Sequence, residues 1–194
     1  KVGFSTWSSS VAFGPRGKWF YSVKLATNGL MQFGWALHDF TIKAADVGVG
    51  DCANSWAWDG YRSCGWHVEE HDVLHPDAIP TATTPHDGNT RPIGPKWKVG
   101  DTIGLLLDLE VPGGSFSVTV NGESIGILYS GFHDGQRKYV AAGSHSSGQA
   151  ALIRFNSAQM TPVTYIPHDG DGIRDAVQTA LTDAMLVTPS ESEA

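Results

Sequence analysis

Apolar and polar positions alternate along most of this chain. In TIGLLLDLEV, Ile103, Leu105, Leu107 and Leu109 fall on one face, and Leu106 opposite them implies that both faces are partly covered. In SFSVTV, Phe116, Val118 and Val120 alternate with Ser115, Ser117 and Thr119, as in a half-buried strand. Asn121-Gly122 follows, and SIGIL returns. A type I′ turn needs positive φ at two successive residues, so this dipeptide predicts a hairpin. KWFYSVKL and LMQFGWAL predict a second hairpin around ATNG; KYVAAGS and QAALIRF predict a third around HSSG. Short strands punctuated by Gly and Asn turns predict an all-β fold, a sandwich of antiparallel sheets.

Two segments break the period of two. Residues 67–95 carry five of the ten prolines and no sustained pattern, which predicts a long insertion. Over 171–187 the spacing becomes helical, with Ile173, Val177, Leu181 and Met185 in one stripe and Asp171 placed to cap the N-terminus. The expected organisation is a sandwich over 1–157 and an extension over 158–194, with a helix at 171–187 and a polar tail. The helix is expected to cover a sheet face or edge of its own domain, or else to turn its apolar stripe toward another chain or the rest of the parent protein.

Composition narrows the function. With 41% hydrophobic and 17% charged residues, the 194-residue chain is expected to be one globular domain with a tail. A net charge of −7 opposes binding to a phosphate backbone, so no nucleic-acid partner is expected. No apolar run is long enough for a membrane span, so no membrane association is expected. Cys52 and Cys64 alone make no disulfide framework, which points to a reduced, cytoplasmic protein. A chain opening on Lys1 is expected to be part of a longer polypeptide.

No reactive constellation emerges. G-x-S-x-G, a phosphate loop ending in G-K-[ST] and G-x-G-x-x-G are all missing. In SHSSG, neighbouring residues point apart, so Ser144 and His145 form no nucleophile–base pair. No enzyme activity and no cofactor are expected. His67, Glu69, Glu70, His71, Asp72 and His75 lie within nine residues, but Pro76 and Pro80 close the segment and the H-E-x-x-H order is absent. Cys52, Cys64 and His67 lack the tight spacing of a zinc site. No metal is expected. In SWAWD, Trp56 and Trp58 share one strand face with Ala57 opposite, which makes them core lining. Trp19, Trp35, Trp97 and Phe155 complete the expected aromatic core.

The order of several segments carries a resemblance. GKWFYSVKL (17–25), GLMQFGWAL (29–37), GVGDCANSWAWDGYRSCGWH (48–67), WKVGDTIGLLLDL (97–109), FSVTVNGESIGILYSGF (116–132) and YVAAGSHSSGQAALIRFN (139–156) follow one another as in a SPRY domain. The wording is most similar to SPRY modules of RING-type ubiquitin ligases and ryanodine receptors. The resemblance implies a bent sandwich and a non-catalytic module that recognises a peptide or protein partner through loops at one edge. Carried over by position, those loops fall at Ser5, Trp7 and Ser9, at Ala45 and Gly48, and at Ser146, Ser147 and Gly148. The peptide-binding type of the family has Arg and Pro in the first loop, Tyr in the second and Val-Trp in the last. This chain has none of them, so the location is expected to carry over and the ligand class is not. Trp7 is either an anchor for the partner or a core residue. Two rival readings are a carbohydrate-binding sandwich using Trp-rich loops, and an intramolecular structural domain of a large channel-like protein. The acidic excess favours basic or neutral peptides.

Overall fold

The computed structural model describes residues 3–41, 44, 46–67 and 93–155, with 163–166 described by their backbone. Among these residues eleven strands form two antiparallel sheets. They are β1 (Phe4–Ser9), β2 (Lys18–Leu25), β3 (Met31–Leu37), β4 (Ser55–Asp59), β5 (Cys64–Trp66), β6 (Thr102–Asp108), β7 (Ser115–Val120), β8 (Glu123–Ser130), β9 (Tyr139–Ser146), β10 (Ala151–Phe155) and β11 (Val163–Ile166). One sheet has the order β11-β1-β9-β3-β4-β5 and the other β10-β2-β6-β7-β8. The expected all-β sandwich is thus the observed architecture. Strand β11 comes from the segment expected to be an extension and pairs with β1 at the sheet edge. The helix expected at 171–187 and the acidic residues of the insertion, Glu69 to His75, lie outside the described residues.

The alternating segments supply the core. Ile103, Leu105, Leu107, Phe116, Val118 and Val120 are all buried on the inner face of the five-stranded sheet, facing Phe33, Trp35 and Trp58 from the other. Trp35, Trp56, Trp58 and Trp97 are buried; Trp19 and Phe155 are half-buried and lean on the same cluster. Trp19 sits at the margin, tilted on Phe13 with its Nε1 donating to the Arg16 carbonyl at 3.2 Å. Tyr21 crosses the sandwich from β2. Its hydroxyl donates to the carbonyls of Gly34 (2.7 Å) and Ala142 (3.1 Å) on the facing strands β3 and β9.

One of the three expected hairpins forms. Asn121 and Gly122 have φ of 53° and 86°, the type I′ signature, and β7 pairs with β8 across them. The other two are corrected. Strand β2 pairs with β10 and β6, whereas β3 pairs with β4 and β9, so residues 26–30 cross from one sheet to the other. Strands β9 and β10 likewise belong to different sheets. These connections are longer than a two-residue turn, and the sheets they bridge stand about 10 Å apart. The two crossings run side by side: Ala26 and Thr27 N–H groups both donate to the Ala150 carbonyl, and Gly29 N–H donates to Gln149 Oε1 at 2.7 Å.

Candidate functional site: a loop face on the six-stranded sheet

Strand alternation decides what β1 can offer a partner. Trp7 stands opposite Gly143, where the missing side chain leaves room for the indole, and it meets Tyr21 edge-on at 5.9 Å. Trp7 is therefore a core residue, 2% exposed. Ser5 and Ser9 share its face and are also buried. Ser9 Oγ donates to the Val11 carbonyl and accepts from Ala141 N–H. The side chains of the expected first loop thus turn inward, and the outward set of β1 is Phe4, Thr6 and Ser8.

The outward face is organised around Ser144. Its Oγ is bonded to Thr6 Oγ1 at 2.8 Å and accepts from Val49 N–H at 2.8 Å. Through that second bond the β3–β4 connection is folded onto the sheet. Val49 buries against Ala36, Ala57, Val140 and Ala142, with Phe40 and Trp66 at the margin. The small residues on the strands let the loop approach closely. Asp51 holds the loop tip: its two oxygens accept from Gly48 N–H (2.7 Å) and Gln32 Nε2 (3.1 Å). Gly50 N–H donates to Ser55 Oγ. Gly48 is buried over Gln32, so close that a Cβ there would lie 2.0 Å from Gln32 Oε1. Of the expected second loop, Gly48 is placed here, and Ala45 lies outside the described residues. Ala44 and Asp46 are exposed beside it.

The third expected loop lies next along β9. Ser146 is two residues past Ser144 and half-buried, its Oγ donating to the Leu30 carbonyl at 3.1 Å. Ser147 and Gly148 are exposed. Gly48 and Ser146 are therefore joined through Ser144, while Ser5, Trp7 and Ser9 stand on the far side of the same sheet. Sequence reading missed Ser144, Gln32, Asp51 and Val49. The signal for Asp51 was present, because an Asp three residues after Gly48 can accept its N–H and close a turn. Nothing local marked Gln32 or Ser144, whose roles arise from register.

The remaining candidates take structural places. Trp56 and Trp58, which a sugar-binding reading would need at the surface, line the core. His67 stacks on Trp56 at 4.8 Å with Nδ1 2.9 Å from the Ser55 carbonyl. Cys52 Sγ lies 3.3 Å from Ser55 Oγ, and Cys64 is buried, its thiol pushed up to about 11 by burial and by the nearby Asp59 charge. Both cysteines are free.

Comparison with known proteins places this geometry. The SPRY domain family model matches residues 18–157. Among curated proteins, the chain is similar to E3 ubiquitin-protein ligase RKP of Arabidopsis thaliana, 32% identical over 150 residues. That match takes in 73% of this chain and 10% of the relative, so the chain spans about a tenth of that protein's length. SPRY domains are generally non-catalytic interaction modules. With most of its strands inside the matched span and its sandwich built as described, the chain belongs to the SPRY domain family.

Proposed function

We propose that this chain is a non-catalytic protein-recognition module of a larger polypeptide, and that it recruits a peptide or protein partner through the loop face around Ala44–Gly48 and Ser146–Gly148. The role in a ubiquitin ligase is part of this proposal and is supported by the similarity to RKP. The observation that carries the reading is the pinned β3–β4 connection. Backbone N–H groups of Gly48, Val49 and Gly50 are each taken by a side chain, from Asp51, Ser144 and Ser55. A loop fixed in this way has little conformational freedom left to lose on binding, which favours affinity for a given contact area. A reducing, cytoplasmic setting is proposed with it, in keeping with the free thiols of Cys52 and Cys64.

The test is affinity capture from cell extract with the chain as given, read by mass spectrometry, beside two variants. Ala44→Arg and Ser147→Arg replace exposed side chains at the two loops. The expected outcome is a specific partner whose recovery falls about tenfold in either variant, at unchanged melting temperature. Equal recovery by wild type and both variants would sink the loop-face assignment.

A further inference from the structure

A cleft lies at the rim where the strands β4 and β5 turn. It is open, of about 400 Å³, and is lined by Asn28, Tyr61, Arg62, Lys96 and Trp97. Its walls are tied together by the backbone. Trp97 N–H donates to the Gly60 carbonyl at 3.1 Å, Ile93 N–H donates to Ser63 O at 2.6 Å, and Trp97 Nε1 donates to Asn28 O at 3.3 Å. The floor is the indole of Trp97, wedged edge-on against Trp58 at 5.4 Å.

The Arg62 guanidinium is set before any ligand arrives. Its Nε donates to Asp59 Oδ2, and its Cζ lies over the Trp66 ring, 3.9 Å from the centroid. Asp59 is fully buried and also accepts from Arg62 N–H at 3.0 Å, so the carboxylate fixes both ends of the residue. Among the described residues the two terminal nitrogens of Arg62 have no hydrogen-bond partner, and its side chain remains 34% exposed. An oriented guanidinium with free Nη groups matches the two oxygens of a carboxylate or phosphate. Lys96 adds a second, exposed cation and Asn28 an amide, and among the described residues that line the cleft there is no carboxylate. Tyr61, half exposed, offers an apolar ring beside the cations.

We infer that this cleft binds an acidic side chain of a peptide, glutamate, aspartate or a phosphorylated residue, next to an apolar residue that rests on Tyr61. The inference rests on the protein-recognition reading in taking a peptide as ligand, but on none of the loop-face residues. It runs against the chain's net charge of −7, which by itself would attract basic segments. Arg62 is partnered by Asp59, so Lys96 carries the unpaired charge of the cleft, and its attraction acts only at short range, so the binding weakens with salt.

The test is an NMR titration of the whole isotope-labelled chain, following the side-chain N–H signals of Trp97 and Arg62. Three capped pentapeptides with a central phosphoserine, glutamate or glutamine between two phenylalanines are compared, with inorganic phosphate as a fourth arm. Saturable shifts are expected with the first two, and binding about tenfold weaker with glutamine. Lys96→Glu and Tyr61→Ala change exposed side chains outside the core, and each is expected to weaken the phosphopeptide about tenfold. Glutamine binding as well as glutamate, Lys96→Glu leaving the affinity unchanged, or inorganic phosphate alone matching the phosphopeptide would each overturn the assignment. The titration is repeated in Ser147→Arg. A peptide that fails to shift Trp97 while cellular capture still depends on Ser147 overturns the cleft and leaves the loop face standing. A saturable titration indifferent to Ser147→Arg, beside a capture that never depends on Ser147, supports the cleft and removes the loop face.

Discussion

Trp58 fills the centre of the sandwich, 0% exposed, edge-on to Trp97 and donating its Nε1 to the Ile93 carbonyl at 3.0 Å. Truncation to Ala removes the ring, leaves a void and orphans that carbonyl. A loss of about 3–5 kcal/mol is expected, read by chemical denaturation. Trp56 is expected in the same range, since its ring is stacked between His67 and Phe132. A change below about 1 kcal/mol in either variant would contradict their place in the core. The period of two in SWAWD was enough to read both residues correctly, because it placed both rings on the same face. The same rule applied to β1 gave Trp7 two equal readings. What resolved it was Gly143 on a strand some 136 positions away in sequence, which no local pattern reveals.

Cysteine reactivity is also a residue-scale matter. Cys64 is buried beside Asp59, and burial, with the Asp59 charge, pushes its thiol up to about 11. The neutral form therefore persists in the fold well above the ordinary thiol value of 9.0. At pH 8, an alkylating reagent is expected to label Cys52 in the native chain and both cysteines after unfolding, counted by intact mass. The sign for stability follows from the raised value. The contribution of the protonated Cys64 is complete below pH 9.0 and is lost as pH climbs through about 11. Native labelling of Cys64 at pH 8 would contradict this environment.

Among the elements, two Asn-Gly dipeptides had opposite fates. Asn121-Gly122 adopts positive φ at both positions and closes the β7–β8 hairpin. Asn28-Gly29 does not, and serves the crossing between sheets. Gln149 Oε1 comes within 2.4 Å of where a Cβ on Gly29 would sit, so a side chain there would displace the Gln149 amide that accepts from Gly29 N–H. Strand existence was legible for β2, β3, β4, β6, β7, β8, β9 and β10, from short apolar segments set between Gly and Asn turns. Pairing was legible only for β7 with β8, where a two-residue turn joins them; β2 and β9 each lie between two strands distant in sequence, which no local pattern reveals. The β3–β4 connection depends on the same long-range order. Ser144→Ala leaves Val49 N–H buried without an acceptor, at an expected cost of about 1–3 kcal/mol. Hydrogen exchange at Val49 and Gly50 is expected to accelerate in that variant while β6 and β7 stay protected. Uniform acceleration across both sheets would mean that the connection is no separate element.

At the scale of the whole molecule, the sandwich is held chiefly by apolar burial between its layers, and only a few polar ties cross it. Among the described residues Tyr21 makes the stronger of two such ties, from β2 to the carbonyls of Gly34 and Ala142 at 2.7 and 3.1 Å. Tyr129 makes the weaker, from β8 to the Ala57 carbonyl at 3.4 Å. Burial raises both phenols well above their ordinary value, so each hydroxyl remains a donor at any pH the protein meets. Tyr21→Phe keeps the ring and its edge-on contacts with Trp7 and Trp35 but removes the proton it aims at β3 and β9. The expected loss is about 1–3 kcal/mol, and it exceeds that of Tyr129→Phe because hydrogen bonds weaken steeply with length. The denaturant slope is expected to stay the same, because both variants bury the same surface. If Tyr129→Phe costs as much as Tyr21→Phe, the layers owe their alignment to ring packing and the crossing hydroxyls are incidental. The loop face and the acid-binding cleft both rest on how β3 and β4 sit over the other sheet. A Tyr21→Phe chain that melts earlier yet binds its ligands unchanged below the transition would place recognition on the loops and their local bonds, with the crossing tie confined to stability.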